Sequence, residues 1–380
     1  PALVTSIEEQ SASILLGNDS EHQITWDNLK WAREFVDDEH QGPAPKKASD
    51  ILLDGQIVWV RPTNNEFRLS QIPQVSAALV SVSPDNGAIL AAVGGYSFKQ
   101  SQFNRAIQAK RQVGSNIKPF IYSAALENGH TLASIINDAP INQWDRRSGF
   151  VWRPKNSPPK YDGPIRVRNA LAQSKNVVSV RLLRSVGLEK LRYHLADFGF
   201  DFSELPNNES LALGSASLTP LEVARGFATF ANGGFLVEPF VIDRVEDANG
   251  NIVYQANPTI AESPEDNTLN LDIIENAEVE LPSQDEELTP KNYAPRIISA
   301  QNAFLISQAL NSAIWDTGGS YKKGTWWRGT GWRAKKPLNR RDIAGKTGTT
   351  NEAKDAWFSG YSRRVVTTSW IGFDDHTRNL

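Results

Sequence analysis

"RQVGSNIKPF", residues Arg111 to Phe120, decides how the rest of the chain is read. Ile117, Phe120, Ile121, Ala124 and Ala125 recur at i, i+3, i+4, i+7 and i+8, the apolar stripe of a core-facing helix, and Asn128-Gly129 is its stop. The spacing predicts a helix from about Ser115 to about Glu127. Pro119 is tolerated so near the start because first-turn amides have no intrahelical acceptor. Ser115 then stands where free backbone N–H groups and the positive end of the helix dipole favour developing negative charge. Lys118, three residues on, is within reach of its hydroxyl. A lysine beside a serine is a general base beside a nucleophile once burial or a second cation lowers the lysine pKa.

Ser-x-x-Lys is a short pattern, and it recurs at Ser157–Lys160 and Ser320–Lys323. Ser157 precedes two prolines, which suits an extended loop. Ser320 follows Gly318-Gly319 in a basic stretch and reads as solvated loop. Only Ser115 has a helical context. A serine nucleophile further needs an oxyanion site, a proton route to the leaving group and a cation to hold the substrate. "QSKN" (Gln173 to Asn176) lies in a helical run and holds the chain's only Ser-x-Asn, with Ser174 59 residues after Ser115. Ser174 can relay a proton, and Asn176 can fix Lys118 and bond a substrate amide. "AGKTGTT" (Ala344 to Thr350) leads into a strand at Asp355. Lys346 supplies a second ammonium that depresses the pKa of Lys118. Gly348 allows close approach of a substrate backbone, and the Thr347 and Thr349 hydroxyls can bind a carboxylate. Each triplet alone is common; their order and spacing are not.

The chain has 380 residues, enough for two domains or one large domain with an appendage. Its net charge of −3 argues against nucleic acid as a partner. With no cysteine there are no disulfides, thiolate metal sites or cysteine nucleophiles, and the five histidines have no metal-ligand spacing, so neither a metal nor a cofactor is expected. No apolar run approaches the roughly 20 residues that span a bilayer, and no methionine opens the chain, so it reads as a piece of a longer protein.

Residues 1–74 read as a separate small β module, incomplete at its amino end, from the strand "ILLDGQIVWVRP" (Ile51 to Pro62), turned at Asp54-Gly55, and its partner Glu66 to Pro73. Residues 75–380 form the main domain. "SAALVSVSPDNGAILAAVGG" (Ser76 to Gly95) is a hairpin about Pro84-Asp85-Asn86-Gly87, apolar enough to predict burial on both faces. Asn169–Val186, Leu188–Phe198 and Thr219–Ala231 read as helices, the last opened by Thr-Pro-Leu-Glu. Asp355–Tyr361 and Val365–Phe373 read as strands. Residues 255–295 are an acidic surface excursion. Tyr321 to Arg341 is basic and carries Trp326, Trp327 and Trp332, either a loop packing its tryptophans or a rim contacting a polymer.

Ser115-x-x-Lys118, Ser174-x-Asn176 and Lys346-Thr347-Gly348 form the triplet set of penicillin-recognising serine enzymes. With "NSPPKYDGPIRVRNALAQSKNVV", "ESLALGSASLTPLEVARGFATFANGGF", "GTGWRA" and "AGKTGTTNEAKDAWFSGYS…WIGFDDH", the chain from about residue 70 to 380 resembles the transpeptidase domain of class A penicillin-binding proteins of the 1a type in Gram-negative bacteria. That resemblance implies an α/β (α+β) transpeptidase fold, an antiparallel five-stranded sheet flanked by helices, with the amino-terminal module as part of an oligonucleotide-binding (OB)-fold insertion. It implies that Ser115 attacks the penultimate D-alanine carbonyl of a peptidoglycan stem peptide, with Lys118 as base and Ser174 passing the proton to the departing D-alanine. Lys346, Thr347 and Thr349 would hold the terminal carboxylate, and the Ser115 and Thr349 N–H groups would form the oxyanion hole. An amine of a neighbouring stem would resolve the acyl-enzyme, and β-lactam antibiotics would esterify Ser115. The resemblance also implies an upstream membrane anchor and glycosyltransferase domain, a place at the periplasmic face of the bacterial inner membrane, a further carboxy-terminal helix over the sheet, and cell-wall synthesis regulators as candidate partners.

Lys175 stands where the triplet in β-lactamases has aspartate, which resembles the penicillin-binding form. A β-lactamase on the same scaffold needs a glutamate to hydrolyse the acyl-enzyme; Glu209, 35 residues after Ser174, lies near its place, but "ESLAL" lacks the asparagine that should follow four residues on. A P-loop reading of "AGKT" fails because residue 340 is arginine and a strand follows. A non-catalytic peptidoglycan-binding protein is the remaining alternative.

Overall fold

The computed structural model describes residues 1–37, 40–144, 151–262 and 291–380, in two units: Pro1–Ser76 with Phe373–Leu380, and Ala77–Gly372. In the first unit, alternating residues form five strands, β1 (Ala2–Ile7), β2 (Ser11–Leu16), β3 (Glu21–Thr25), β4 (Ile57–Thr63) and β5 (Glu66–Ser70). They form one antiparallel sheet in the order β3-β2-β1-β4-β5. Its inward positions, among them Val4, Ala12, Ile14, Ile24, Val58 and Leu69, build a small core. The sheet curls until its outer strands meet: the His22 and Phe67 rings lie 4.6 Å apart, and Asn28 donates to Glu66 at 2.6 Å. Closure of this kind protects the strand edges. Sequence reading found only β4 and β5; the three earlier strands are five or six residues long and leave weak periodic signals. Ile51–Leu52 lie outside β4, which begins only after the positive-φ turn at Gly55.

The second unit is built on β6 (Ser76–Val82), β7 (Ile89–Val93), β8 (Ala344–Thr349), β9 (Asp355–Ser362) and β10 (Val365–Gly372), in sheet order β8-β9-β10-β6-β7. Pairing is antiparallel between β8 and β9, β9 and β10, and β6 and β7. The hairpin is not buried on both faces. β6 alternates, with Ala78, Val80 and Val82 inward, and β7 is an edge strand whose Leu90 and Val93 are 57% and 54% exposed. Apolar composition reported residue type, but edge position decided exposure.

Helices α1 (Lys118–Glu127), α2 (Val167–Ala172), α3 (Asn176–Val186), α4 (Leu188–Asp197), α5 (Pro220–Ala231) and α6 (Ala300–Trp315) complete the unit. α5 starts with a full capping box between Thr219 and Glu222. α1 is buried from Lys118 to Ala125, all round and not along a stripe alone. On one side Phe120 packs its ring against Phe198, Phe200, Phe227 and Phe230 at centroid distances of 4.9–5.5 Å. α1 is therefore an interior axis, and any charge on its first turn is taken out of water. The acidic stretch predicted at 255–295 has its centre, 263–290, outside the described residues; its flanks Thr259–Ile260 and Asn292–Tyr293 pair as short parallel strands.

Candidate active site

Ser115 lies in a 3-10 turn, Gly114–Ile117, that feeds into α1 at Lys118. The turn is clamped by glycines. Gly114 has φ 52°, and a Cβ there would come within 2.6 Å of the Thr349 carbonyl; Gly214, at φ 83°, would put one 1.8 Å from the Gly114 carbonyl. Gly348 is the third contact: its Cβ would meet the Val113 carbonyl at 2.7 Å and the Trp357 Cβ at 2.9 Å. Gly348 thus lets β8 dock on the serine turn, a reason within the protein and apart from the substrate approach expected of it. A buried ion pair pins the same junction. Arg111 donates to Asp355 at 2.7 Å, Trp370 donates to the same oxygen at 2.8 Å, and the Asp355 amide donates to Thr350.

The run Asn169–Val186 is two helices, not one. α2 ends and α3 begins about Ser174, whose φ of 57° is left-handed, an uncommon setting for a side chain with a Cβ. The Lys175 amide returns to the Ala170 carbonyl at 2.9 Å to close the turn. Lys175 itself is 7% exposed and ion-paired with Asp138 at 3.2 Å and Asp162 at 2.6 Å, so an aspartate in its place would face two carboxylates. Asn156 accepts from the amides of Asn176 and Val177, orienting the start of α3.

The three predicted elements converge on Ser174. Lys118 Nζ donates to the Ser174 carbonyl and Asn176 Oδ1, both at 2.6 Å, and lies 3.2 Å from Ser174 Oγ. Lys346 Nζ donates to Ser174 Oγ at 2.9 Å and to the Thr347 carbonyl at 3.0 Å. Ser174 Oγ therefore bridges two ammonium positions. Lys118 and Lys346 each expose 0% of their surface. Burial, and then the nearby Lys346 charge, push Lys118 well below the usual lysine range; burial pushes Lys346 down to about 7. A neutral lysine keeps two N–H donors, which the carbonyl of Ser174 and Oδ1 of Asn176 engage, and one lone pair. Asn176 Nδ2 donates to the Lys155 carbonyl at 2.7 Å, fixing its amide so that Oδ1 faces the lysine.

The hydrogen bonds of Lys118 all go to this 174–176 segment and none to Ser115. Ser115 is half-buried at the mouth of the site. Thr347 Oγ1 donates to Thr330 Oγ1 at 3.0 Å, and Thr349 is exposed on β8, which pairs with β9 on one side only. Sequence reading missed Asn156, Asp138, Asp162, Thr330 and the Arg111–Asp355 pair as supports of the site, because their partners lie tens to hundreds of residues away and no local pattern marks them. The spare candidates fail structurally. Ser157 is in a loop whose Lys160 donates to the Gly324 carbonyl, and Ser320–Lys323 is a turn segment with exposed lysines. Glu209 is in a two-bond ion pair with Arg184 at 2.7 and 2.8 Å. Among the described residues, no group of three metal-ligating side chains is formed and no helix is long and apolar enough to cross a membrane.

This arrangement has relatives. A family model described as "Penicillin binding protein transpeptidase domain" matches residues 77–378, and one described as "Penicillin-binding protein OB-like domain" matches residues 1–75. Penicillin-binding protein 1A of Vibrio cholerae is 51% identical over all of this chain, which covers 45% of that protein; that of Escherichia coli is 48% identical, with 47% covered. The crystal structure of penicillin-binding protein 1A from Haemophilus influenzae superposes with a TM-score of 0.82 at 41% identity, over all of this chain and 53% of that one. PonA1 of Mycobacterium tuberculosis, solved in complex with penicillin V, shares the fold at a TM-score of 0.60 and 23% identity, over 82% of this chain and 72% of that one. The chain spans about half the length of the curated relatives it matches. Two buried lysines meeting on one serine hydroxyl, beside a helix-start serine and a Lys-Thr-Gly edge strand, thus sit on a shared fold and a closely related sequence: the chain belongs to the penicillin-binding protein transpeptidase family, with an OB-like domain at its amino end.

Proposed function

We propose that this chain is a peptidoglycan D,D-transpeptidase working through an acyl-enzyme on Ser115. The observation that carries the reading is the Lys118–Ser174–Lys346 bridge, in which burial lowers the pKa of a lysine that contacts the Ser174 hydroxyl. Ser115 Oγ attacks the penultimate D-alanine carbonyl and loses its proton to Lys118. The C–N bond breaks, and the proton reaches the leaving D-alanine nitrogen through Ser174 Oγ. The Ser115 and Thr349 N–H groups stabilise the oxyanion, a pairing supported by the close packing of Gly114 on the Thr349 peptide. Thr347, Thr349 and Lys346 receive the terminal carboxylate, and the free edge of β8 pairs with the extended stem. A β-lactam enters the same site and leaves an ester on Ser115. In the whole protein we place this chain after a membrane anchor and a glycosyltransferase domain, at the periplasmic face of the inner membrane, where regulators of wall synthesis would reach it.

The test is intact mass and peptide mapping after brief exposure to benzylpenicillin, repeated hours later. One persistent adduct on the peptide holding Ser115, absent in Ser115→Ala, is expected. An adduct that vanishes within minutes would favour the β-lactamase, which the engaged Glu209 argues against, and a folded protein that never acylates would favour the non-catalytic reading.

A further inference from the structure

A cavity of about 610 Å³ opens in the amino-terminal unit, where β4 and β5 meet the chain leading from β3. β4 sends Val58 into the core of that unit and Trp59 to the opposite side, where it pairs with Ser70 of β5 and stays 49% exposed. Trp31 forms a second aromatic surface, 37% exposed. Its indole N–H donates to the Asn28 carbonyl at 3.2 Å and Arg68 lies over its ring at 5.8 Å, so the ring is fixed without being covered. Neither tryptophan belongs to the core of the unit, so core packing does not account for them. Around them stand polar groups with bonding capacity left over. Among the described residues the Trp59 indole N–H and the Gln71 amide have no hydrogen-bond partner, and Gln56 spends only its oxygen, on the Leu53 amide at 3.1 Å. Charge is balanced: Arg33 and Arg68 stand against Glu34 and Asp50, and Asp50 already accepts from the Lys46 and Lys47 amides.

We propose that this cavity is a carbohydrate site that takes a strand of β-linked N-acetylated hexosamines, the glycan of the peptidoglycan whose stem peptides the second unit cross-links. For the identity of that polymer the inference rests on the transpeptidase reading above. Exposed indole faces are apolar and electron-rich, and the C–H face of a pyranose ring is apolar and slightly positive, so the two stack. An acetamido group offers one N–H donor and one carbonyl acceptor, which a glutamine side chain meets with its own acceptor and donors. Small closed barrels take oligonucleotides or oligosaccharides, and charge separates the two here. A phosphate chain needs clustered cations, which a balanced groove in a chain of net charge −3 does not offer. A strand of neutral sugars needs none. Once bound, it keeps its stem peptides on the same molecule as Ser115, so that their capture becomes an intramolecular event.

The test titrates the whole chain, with Ser115 first blocked by benzylpenicillin, against chitotetraose, a neutral β-linked tetramer of N-acetylglucosamine, and follows the tryptophan indole N–H resonances. The resonances of Trp31 and Trp59, identified by their loss in Trp31→Phe and Trp59→Phe, should be the ones that move. Cellotetraose, the same chain without acetamido groups, should bind several-fold more weakly. Trp59→Ala should weaken chitotetraose by about tenfold or more, Trp59→Phe by less because it keeps an aromatic face, and Gln71→Ala several-fold. Trp326→Ala, in the second unit, should leave the affinity unchanged. Urea midpoints and acylation rates equal to the parent's show that the variants are folded. Trp31 and Trp59 resonances that stay still, or an affinity untouched by Trp59→Ala, overturn the proposal. So does equal binding of the two tetramers, since the acetamido groups would then go unread, and so does tighter binding of a thymidine octanucleotide, which would make this a nucleic-acid site. Failure of Ser115 to acylate refutes the transpeptidase reading instead, and the same resonances still report the sugar site in the unacylated protein.

Discussion

At the level of single residues, the proposed chemistry rests on two lysines placed where their charge is least stable. Lys346 titrates near 7 and Lys118 lower than an ordinary lysine, because both are out of water and the second also faces the first. Removing the Lys346 charge should therefore raise the Lys118 pKa. In Lys346→Gln the acid limb of the benzylpenicillin acylation rate should move up by roughly one pH unit or more, a shift typical of one like charge a few ångströms away. Stopped-flow acylation across pH 5–9 reads it, and an unmoved limb would show that burial alone sets the Lys118 pKa. The same depression bears on stability. A lysine whose folded pKa lies below its unfolded 10.5 leaves the unfolded chain binding more protons between those values, so stability rises with pH over that window. Lys346→Met should thus be more stable than the parent at pH 7, by on the order of a few kcal/mol, and the advantage should shrink towards pH 9.5. Denaturant titrations at the two pH values measure this. The residue types Ser115, Lys118, Ser174, Asn176 and Lys346 were legible in the sequence because, in that order and spacing, they match the motif set of the family the chain resembles. That Lys118 reaches Ser174 and not Ser115 was not, since rotamer and partner depend on a turn 56 residues away.

Between residue and fold, the elements meet through glycines and one buried pair. Gly214→Ala adds a methyl at φ 83° against the Gly114 carbonyl. The left-handed setting alone costs about 1–2 kcal/mol, and the backbone contact should bring the total to roughly 3 kcal/mol or more. Acylation should slow with it, because the serine turn must shift. Urea midpoints and acylation rates on the same sample check both. Asp355→Asn leaves Arg111 buried without its counter-charge, and a loss of about 3–5 kcal/mol is expected. Replacing both members with Arg111→Met and Asp355→Asn should recover part of it, as read by the same unfolding curves. The capped helix α5 and the strands β9 and β10 could be read from local signals. The break at Ser174 could not, because the flanking residues favour helix and only the need to present Ser174 to two lysines makes the left-handed residue worth its strain.

At the scale of the whole molecule, the described residues form two hydrophobic cores, one behind the curled sheet of the amino-terminal unit and one around α1. Ile14→Ala should destabilise the first by about 2–5 kcal/mol, the range for a large-to-small core change. The rate of Ser115 acylation should not change, and a parallel fall in acylation would mean that the two units unfold as one. The sequence alone determined the family resemblance, the order of the three motif elements, the exclusion of cysteine chemistry and, in the second unit, the β6–β7 hairpin, strands β9 and β10 and helices α1, α4 and α5. These follow from residue type and periodicity, which are local. Only the tertiary structure decided that β7 is an exposed edge, that α1 is buried on every side, that Gly348 serves the docking of β8, and that Lys118 and Lys346 share one hydroxyl. Burial and long-range contact belong to the packed chain, and a lysine has no depressed pKa until neighbours distant in sequence have taken its water away.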